Sequence, residues 1–274
     1  MSNTILITGT SSGIGKATAQ YFHQKGWNVV ATMRKPENEK DLKEDARMKI
    51  IVLDVENKTS IETAITQAIK HFGKIDVLVN NAGYGAYGPL EAGSDAELRR
   101  QYDVNFFGVI DCIKAILPHF KQNKNGAIIN ITSIGGLMTL PLFGVYNSSK
   151  FALEGLSEGL WYDLQPFGIK VKVVEPGGIK TDFAGRSMNM FDLSKFPEYN
   201  EYSKKIVEKF TDPKYSEKFG TPEMVAGVIY EAATDGKDTL RYLAGKDAKQ
   251  FWFARRWFGY KFQMAQVKKY FGFG

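Results

Sequence analysis

Seven short apolar runs recur along this chain: Thr4 to Thr8, Asn28 to Met33, Lys49 to Val55, Ile75 to Asn80, Ala127 to Thr132, Lys170 to Val174 and Leu240 to Ala244. They are nearly continuous rather than alternating, the pattern of strands buried on both faces. The segments between them space apolar residues at helical intervals, as in Ile14, Ala17 and Tyr21, or Ile61, Ile65, Ala68, Ile69 and Phe72. Strands alternating with helices require right-handed crossovers, so the expected class is α/β, a doubly wound parallel sheet flanked by helices. With no internal repeat or low-complexity linker, residues 1–245 are expected to form one domain.

The first run leads directly into Thr8-Gly9-Thr10-Ser11-Ser12-Gly13-Ile14-Gly15 and then into helical spacing. Glycine at 9, 13 and 15 permits a tight turn. It also lets N–H groups at a helix N-terminus approach a pyrophosphate, where the helix dipole favours negative charge. Such a stretch alone is ordinary loop composition, but between strand one and helix one it marks a Rossmann-type dinucleotide site. Sites that prefer NAD carry an acid near the end of strand two, for the ribose 2′-OH. Here that strand ends Ala31-Thr32-Met33-Arg34-Lys35, with no acid before Glu37. Arg34 and Lys35 would suit a 2′-phosphate, pointing to NADP(H), unless they are merely two solvated cations in a turn.

With these pieces in place, the chain resembles the short-chain dehydrogenase/reductase family over residues 3–245. The resemblance rests on TGTSSGIG (8–15), LDV (53–55), NNAG (80–83), Asn105, Ser133, the Tyr146-Asn-Ser-Ser-Lys150 box and Pro176-Gly177. Tyr-x-x-x-Lys alone is weak, since it also occurs at Tyr21/Lys25 and Tyr242/Lys246, but only the middle copy follows the fifth strand and a serine 13 residues upstream. Tyr146 and Lys150 lie one helical turn apart and can face one cleft. A phenol of ordinary pKa, about 10, is a poor base at neutral pH, and a nearby ammonium is expected to lower it.

The resemblance implies an NADP-dependent oxidoreductase interconverting a secondary alcohol and a ketone or aldehyde, with Tyr146 as general acid/base. It further implies Lys150 on the nicotinamide ribose, Ser133 on the reacting oxygen and Asn105 holding a relay water. Gly9, Ser11, Ser12, Ile14, Asp54, Val55, Asn81, Ala82 and Gly83 would line the cofactor together with Pro176 and Gly177, and Ile179 and Thr181 would lie near the nicotinamide carboxamide. A non-catalytic NADP(H)-binding sensor or scaffold, and lyase, isomerase or epimerase chemistry on the same fold, remain open.

Leu137, Met138, Leu140, Leu142 and Phe143 flank the expected cleft. Residues 182–220, with Met188, Met190 and Phe191 and no strand signal, read as a substrate lid. Leu142, Phe143, Met188 and Phe191 are the expected substrate contacts; adaptable Met and aromatic walls suit a bulky apolar substrate, with core packing the competing reading. The ATMR and NAGYGAYGPLE stretches look most like the family branch acting on steroids, retinoids and similar lipidic alcohols or ketones.

Residues 246–274 hold seven Lys/Arg against the single acid Asp247, which accounts for the whole net charge of +6. A nucleic-acid binder would carry its basic face on the domain itself, so no nucleic-acid partner is expected. The lone Cys112 cannot form an internal disulfide, and no CxxC or HExxH spacing suggests a metal. The N-terminus lacks the basic and apolar regions of a signal peptide, so a cytoplasmic location is expected. Between Lys124 and Lys150 lie 25 uncharged residues, long enough to span a bilayer. Asn125, Asn130, Gly135-Gly136, Pro141, Asn147, Ser148 and Ser149 make a buried strand and active-site loop the better reading.

The basic extension also carries ten aromatics between 251 and 273. On one ideal helix, Phe253, Trp257, Tyr260, Met264, Val267 and Phe271 form one stripe and Phe251, Phe258 and Phe262 the opposite one. Two stripes imply a tail gripped between two surfaces. A partner subunit, hence a homo-oligomer, is the first expectation; peripheral membrane contact and a lid over the cleft follow it. Gly259 weakens an unbroken helix.

Overall fold

In a computed structural model of the chain, residues 2–181 and 187–272 are described. All seven apolar runs are strands: β1 (Thr4–Ile7), β2 (Asn28–Met33), β3 (Met48–Val52), β4 (Val77–Asn80), β6 (Gly126–Ile131), β7 (Ile169–Pro176) and β9 (Arg241–Ala244). They form one parallel sheet in the order β3-β2-β1-β4-β6-β7-β9. The order reverses between β1 and β4, and in open α/β sheets the crevice at that reversal, beyond the carboxyl ends of the strands, is where ligands bind.

Helices cover both faces. On one side α1 (Gly13–Gln24) and α8 (Pro222–Thr234) enclose a core that includes Phe22, Trp27, Val29, Val225 and Ile229. On the other, α2 (Lys58–Phe72), α4 (Gly108–Asn123) and α5 (Gly144–Leu164) bury Ile61, Ile65, Ile113, Ile116, Phe120 and Leu153. Some of the helices start where the chain supplies a side-chain cap. Asn57 accepts from Ser60 N–H at 3.1 Å ahead of α2, and Ser94 with Glu97 forms a capping box at α3 (Asp95–Tyr102). Lys172, buried inside β7, is neutralised by Asp235 at 2.7 Å and hydrogen-bonded to the Tyr242 hydroxyl at 2.8 Å.

The segment read as strandless departs from that expectation. Its first five residues, 182–186, lie outside the described residues. The rest contains β8 (Met188–Met190), α6 (Asn200–Thr211) and the short α7 (Pro213–Ser216). β8 pairs in parallel with β5 (Gly85–Tyr87), in the register Gly85↔Met188 to Tyr87↔Met190. Three residues are too few to show a period, and this ladder closes over about 100 intervening residues.

The C-terminal extension is α9 (Lys246–Phe271), bent at Gly259, whose φ of 73° and ψ of 176° are not helical. No helix among the described residues is long and apolar enough to cross a membrane.

Candidate active site

The glycine turn and the NNAG stretch are built as one unit at the reversal of the sheet. Thr8 Oγ1 accepts from the backbone N–H groups of Asn81 and Ala82, both at 3.0 Å, while Asn81 Nδ2 donates to Thr8 O at 2.8 Å and Gly9 O at 3.0 Å. The packing leaves no room for side chains. A Cβ on Gly9, which sits at φ +71°, would lie 2.8 Å from Ala82 Cα, and one on Gly15 would lie 2.3 Å from Gly9 O. Ser12 occupies the N-cap position of α1, yet its side chain makes no capping bond, unlike Asn57 and Ser94. The first N–H groups of α1 are therefore left without a Ser12 side-chain cap, as in an anion site at a helix N-terminus. Thr181 comes up to this turn, its Cγ2 being 3.5 Å from where a Gly13 Cβ would stand, and Thr181 N–H donates to Ile179 O at 2.8 Å. The cradle fits a dinucleotide pyrophosphate.

At the far end of the turn, Arg34 and Lys35 are exposed just beyond β2. Lys35 lines a cavity of about 230 Å³ with Ser11, Lys16, Asn38, Glu39, Lys40 and Asp41. Two acids missed at the sequence level, Glu39 and Asp41, thus reach this corner. Both are taken up by Lys16, at 2.9 and 2.6 Å, and Glu39 also accepts the backbone N–H groups of Asp41 and Leu42. Asp54 and Val55 follow β3. Asp54 N–H donates to Ser60 Oγ at 3.0 Å, and Val55 packs against the start of α4 at Gly108.

Ser133, Tyr146 and Lys150 converge at the carboxyl end of β6. Ser133 ends the loop after the strand, accepts from Gly135 N–H at 2.9 Å and hydrogen-bonds the Tyr146 hydroxyl. Lys150, buried, donates to Ile131 O at 3.0 Å and stands 5.9 Å from the centre of the Tyr146 ring. Burial pushes the Tyr146 phenol above its ordinary value, with the Ser133 hydrogen bond pulling the other way. Burial brings Lys150 down to about 8, against the opposing charge of Glu154. This corrects the expectation that the ammonium sets the phenol. In this packed corner desolvation is the largest influence on both groups.

Asn105 lies in a π turn, Asp103–Phe107, between α3 and α4. Its carboxamide is committed to the backbone of Tyr84, accepting from N–H at 3.1 Å and donating to O at 2.9 Å, with a further donation to Ser149 Oγ at 3.3 Å. A second asparagine was not singled out from the sequence. Asn147, buried inside the Tyr146–Lys150 box, donates to Gly135 O at 2.9 Å and Met138 O at 3.3 Å and accepts from Leu140 N–H at 3.2 Å. It braces the loop that carries Ser133.

Above Tyr146 lies an apolar wall: Tyr87, Phe143 and Ile206 are its buried centre, with Leu140, Leu142, Tyr146, Met188, Tyr202, Phe210 and Phe271 packed around them. Three of the four expected substrate residues, Leu142, Phe143 and Met188, meet there. Phe191 does not. It is 5% exposed and its ring fills the space beside Gly88 and Gly93, under the β5–β8 pair. Leu142 sits at φ +63°, a strained conformation for a leucine.

Two further groups connect this corner to β7, β9 and α9. Arg241 on β9 bridges Glu154, one turn beyond Lys150, and Glu175 near the end of β7, and also reaches Glu158. Asp247, in the first turn of α9, accepts from Gly178 N–H at 2.6 Å and occupies the space that a Gly177 side chain would need, fixing the Pro176-Gly177-Gly178 turn. Its isolation as the only acid of a basic tail was the one available signal. Among the described residues no group of His, Cys, Asp or Glu is placed to hold a metal ion.

A family model described as short chain dehydrogenase matches residues 3–190. The chain is 42% identical over 212 residues to 3-ketodihydrosphingosine reductase of Bacteroides thetaiotaomicron, covering 75% of this chain and 76% of that protein. It is 35% identical over 255 residues to an NADPH-dependent 3-dehydrocapnine reductase of Ornithobacterium rhinotracheale, covering 90% and 89%. Among solved structures, a short-chain dehydrogenase from Streptomyces avermitilis superposes with a TM-score of 0.82 at 32% identity, over 98% of this chain and 96% of that one. ElxO with NADP bound superposes with a TM-score of 0.73 at 28% identity, over 91% of this chain and all of that one.

Proposed function

The chain belongs to the short-chain dehydrogenase family, oxidoreductases acting on CH–OH groups with a nicotinamide dinucleotide, and on that premise we propose an NADP(H)-dependent enzyme for a bulky apolar ketone, aldehyde or secondary alcohol. The observation that carries this reading is the convergence of Ser133, Tyr146 and Lys150 beneath the apolar wall around Phe143. Gly9, Ser11, Ser12, Gly13, Ile14 and Gly15 with Asn81, Ala82 and Gly83 would hold the dinucleotide, with Asp54 and Val55 beside it and Pro176, Gly177, Ile179 and Thr181 at its nicotinamide end. When bound, the nicotinamide supplies or accepts the hydride.

The protein's own part is to place and protonate the reacting oxygen. In the reductive direction the Tyr146 hydroxyl gives its proton to the carbonyl oxygen, while Ser133 hydrogen-bonds that oxygen. Lys150, held at about 8, exchanges its proton within the working pH range and in its ammonium form would also grip the ribose. Because the Asn105 carboxamide is spent on Tyr84, a relay water would be held by the main chain of the π turn. Phe143, Leu142 and Met188 keep the oxygen end of the cleft dry.

NADP(H) is favoured over NAD(H) because, among the described residues, no acid pairs with Arg34 or Lys35 while Lys16 takes up Glu39 and Asp41. The relative named as NADPH-dependent supports the same choice. NADPH is expected to bind at least tenfold more tightly than NADH, and Arg34→Asp should remove or reverse the difference, a charge-assisted contact being worth ~1.5–3 kcal/mol. Equal binding of both cofactors by the parent would refute the assignment.

A panel of ketones and aldehydes of graded size, followed by NADPH consumption, tests the substrate class. Each added buried methylene should raise kcat/KM about fourfold until the cleft is full, from ~0.8 kcal/mol per CH₂. A flat profile would remove the apolar reading, and inertness to every carbonyl and alcohol would favour the sensor.

A further inference from the structure

We propose that the bend of α9 at Gly259 is a docking surface for an anionic lipid membrane. Both ends of α9 are tied to the domain. The first turn is held by Asp247 on the Gly178 N–H. The last turns are held by Val267, packed against the Ile134, Met138 and Ala248 cluster, by the Tyr270 hydroxyl near Lys209 O at 3.5 Å, and by Phe271, whose ring lies 5.7 Å from Phe210. Between these anchors Arg255 lies over the Phe151 ring and Gln263 is buried, while residues 256–262, around the bend, are all exposed.

The one-helix reading with two opposed stripes does not survive this bend. Phe253 meets Trp257 at 6.1 Å and Phe258 at 6.4 Å, and Phe258 meets Phe262 at 5.0 Å, so rings assigned to opposite stripes form one cluster. A glycine at positive φ resets the helical phase, and the inward positions Val267 and Phe271 separate from the outward ones. Phe253, Trp257, Phe258 and Phe262 are 53, 66, 59 and 40% exposed, and Tyr260 and Met264 add 58 and 54%. Such a concentration of exposed rings marks a contact surface rather than scattered surface residues.

Charge selects the occupant. Lys246, Lys249, Arg256, Lys261, Lys268 and Lys269 on the same helix are all exposed, and the one acid, Asp247, is turned inward onto Gly178. Aromatic rings rimmed by cations, on an element bent at Gly259 and too polar to span, are the composition of a segment lying in the interface of an anionic bilayer. A second copy fits less well. A two-fold contact lays a patch against itself, and here it would oppose two basic tails. The homo-oligomer expected from the sequence therefore loses its argument from the tail. The docking does not depend on the substrate reading, although α9 ends on the wall above Tyr146, so a docked protein would hold its cleft beside the lipid.

The test uses the full chain with vesicles of phosphatidylcholine alone and of equal parts phosphatidylcholine and phosphatidylglycerol. Binding should be at least tenfold stronger to the anionic vesicles and should weaken with added salt. The double variants Trp257→Ser/Phe258→Ser and Arg256→Glu/Lys261→Glu should each lose at least tenfold while keeping the parent thermal midpoint and NADPH binding. Brominated lipid should quench the tryptophan fluorescence of the unmodified chain, a readout that needs no variant to fold. Three results would overturn the proposal: no binding to anionic vesicles; binding that is equal on neutral vesicles or retained by both variants; or a parent dimer that the Trp257→Ser/Phe258→Ser change turns into a monomer.

Discussion

Tyr146→Phe is expected to bind NADPH within a few-fold of the parent while kcat falls by about 10²–10⁴, the usual cost of deleting a general acid or base. The ring stays in its place among Phe143, Leu142 and Met188, so the wall is preserved and only the exchangeable proton and the Ser133 hydrogen bond are lost. Because burial raises the phenol, the parent's Tyr146 should remain protonated through neutral pH. The lowest pKa seen in the reductive kcat/KM should then belong to Lys150, near 8, with kcat/KM falling as that ammonium is lost. Titrated fluorescence for NADPH affinity and steady-state kinetics across pH separate the two effects. Equal kcat for parent and variant on a good carbonyl substrate would remove Tyr146 from the chemistry.

The second large effect is on stability. Arg241→Met should cost about 3–5 kcal/mol at pH 8, the usual penalty for removing one partner of a buried ion cluster. Glu175 is fully buried and Glu154 nearly so, and each would be left facing the other without a cation. The loss should shrink in acid. Burial first, then the neighbouring Glu154, pushes the Glu175 carboxyl up to about 7 from an ordinary 4.5. The native state therefore holds that proton more firmly than the unfolded chain does. Its stabilising contribution is complete below about pH 4.5 and is lost as pH rises through 7. With Glu175 protonated, and burial raising Glu154 in the same direction, Met at 241 faces less buried charge. Denaturant unfolding of parent and variant at pH 5 and pH 8 measures this, and a deficit under about 1 kcal/mol at pH 8 would show that the cluster is not what holds β7, β9 and α5 together.

All seven parallel strands, the covering helices and the glycine turn before α1 are legible in the amino-acid order alone. Each is a local signal: a buried strand must be apolar throughout, a helix must repeat its apolar face, and a turn packed 2.8 Å from Ala82 Cα admits no side chain at position 9. The spacing of Ser133, Tyr146 and Lys150 is likewise local to one loop and one helix. What the chain order cannot show is any partner chosen across the fold. Arg241 meets Glu175 and Glu154 over 66 and 87 residues, and Asp247 reaches Gly178 over 69. Each pairing exists only because parallel crossovers bring the carboxyl ends of distant strands to one edge. The ionisation of Tyr146 and Lys150 is also a tertiary property. Their spacing suggests mutual attraction, but the depth at which the sheet and α5 bury them makes desolvation the largest influence. The bend at Gly259 completes the same lesson: sequence periodicity assumes one continuous helix, and a single residue at positive φ moves the aromatics of its two halves into one exposed cluster.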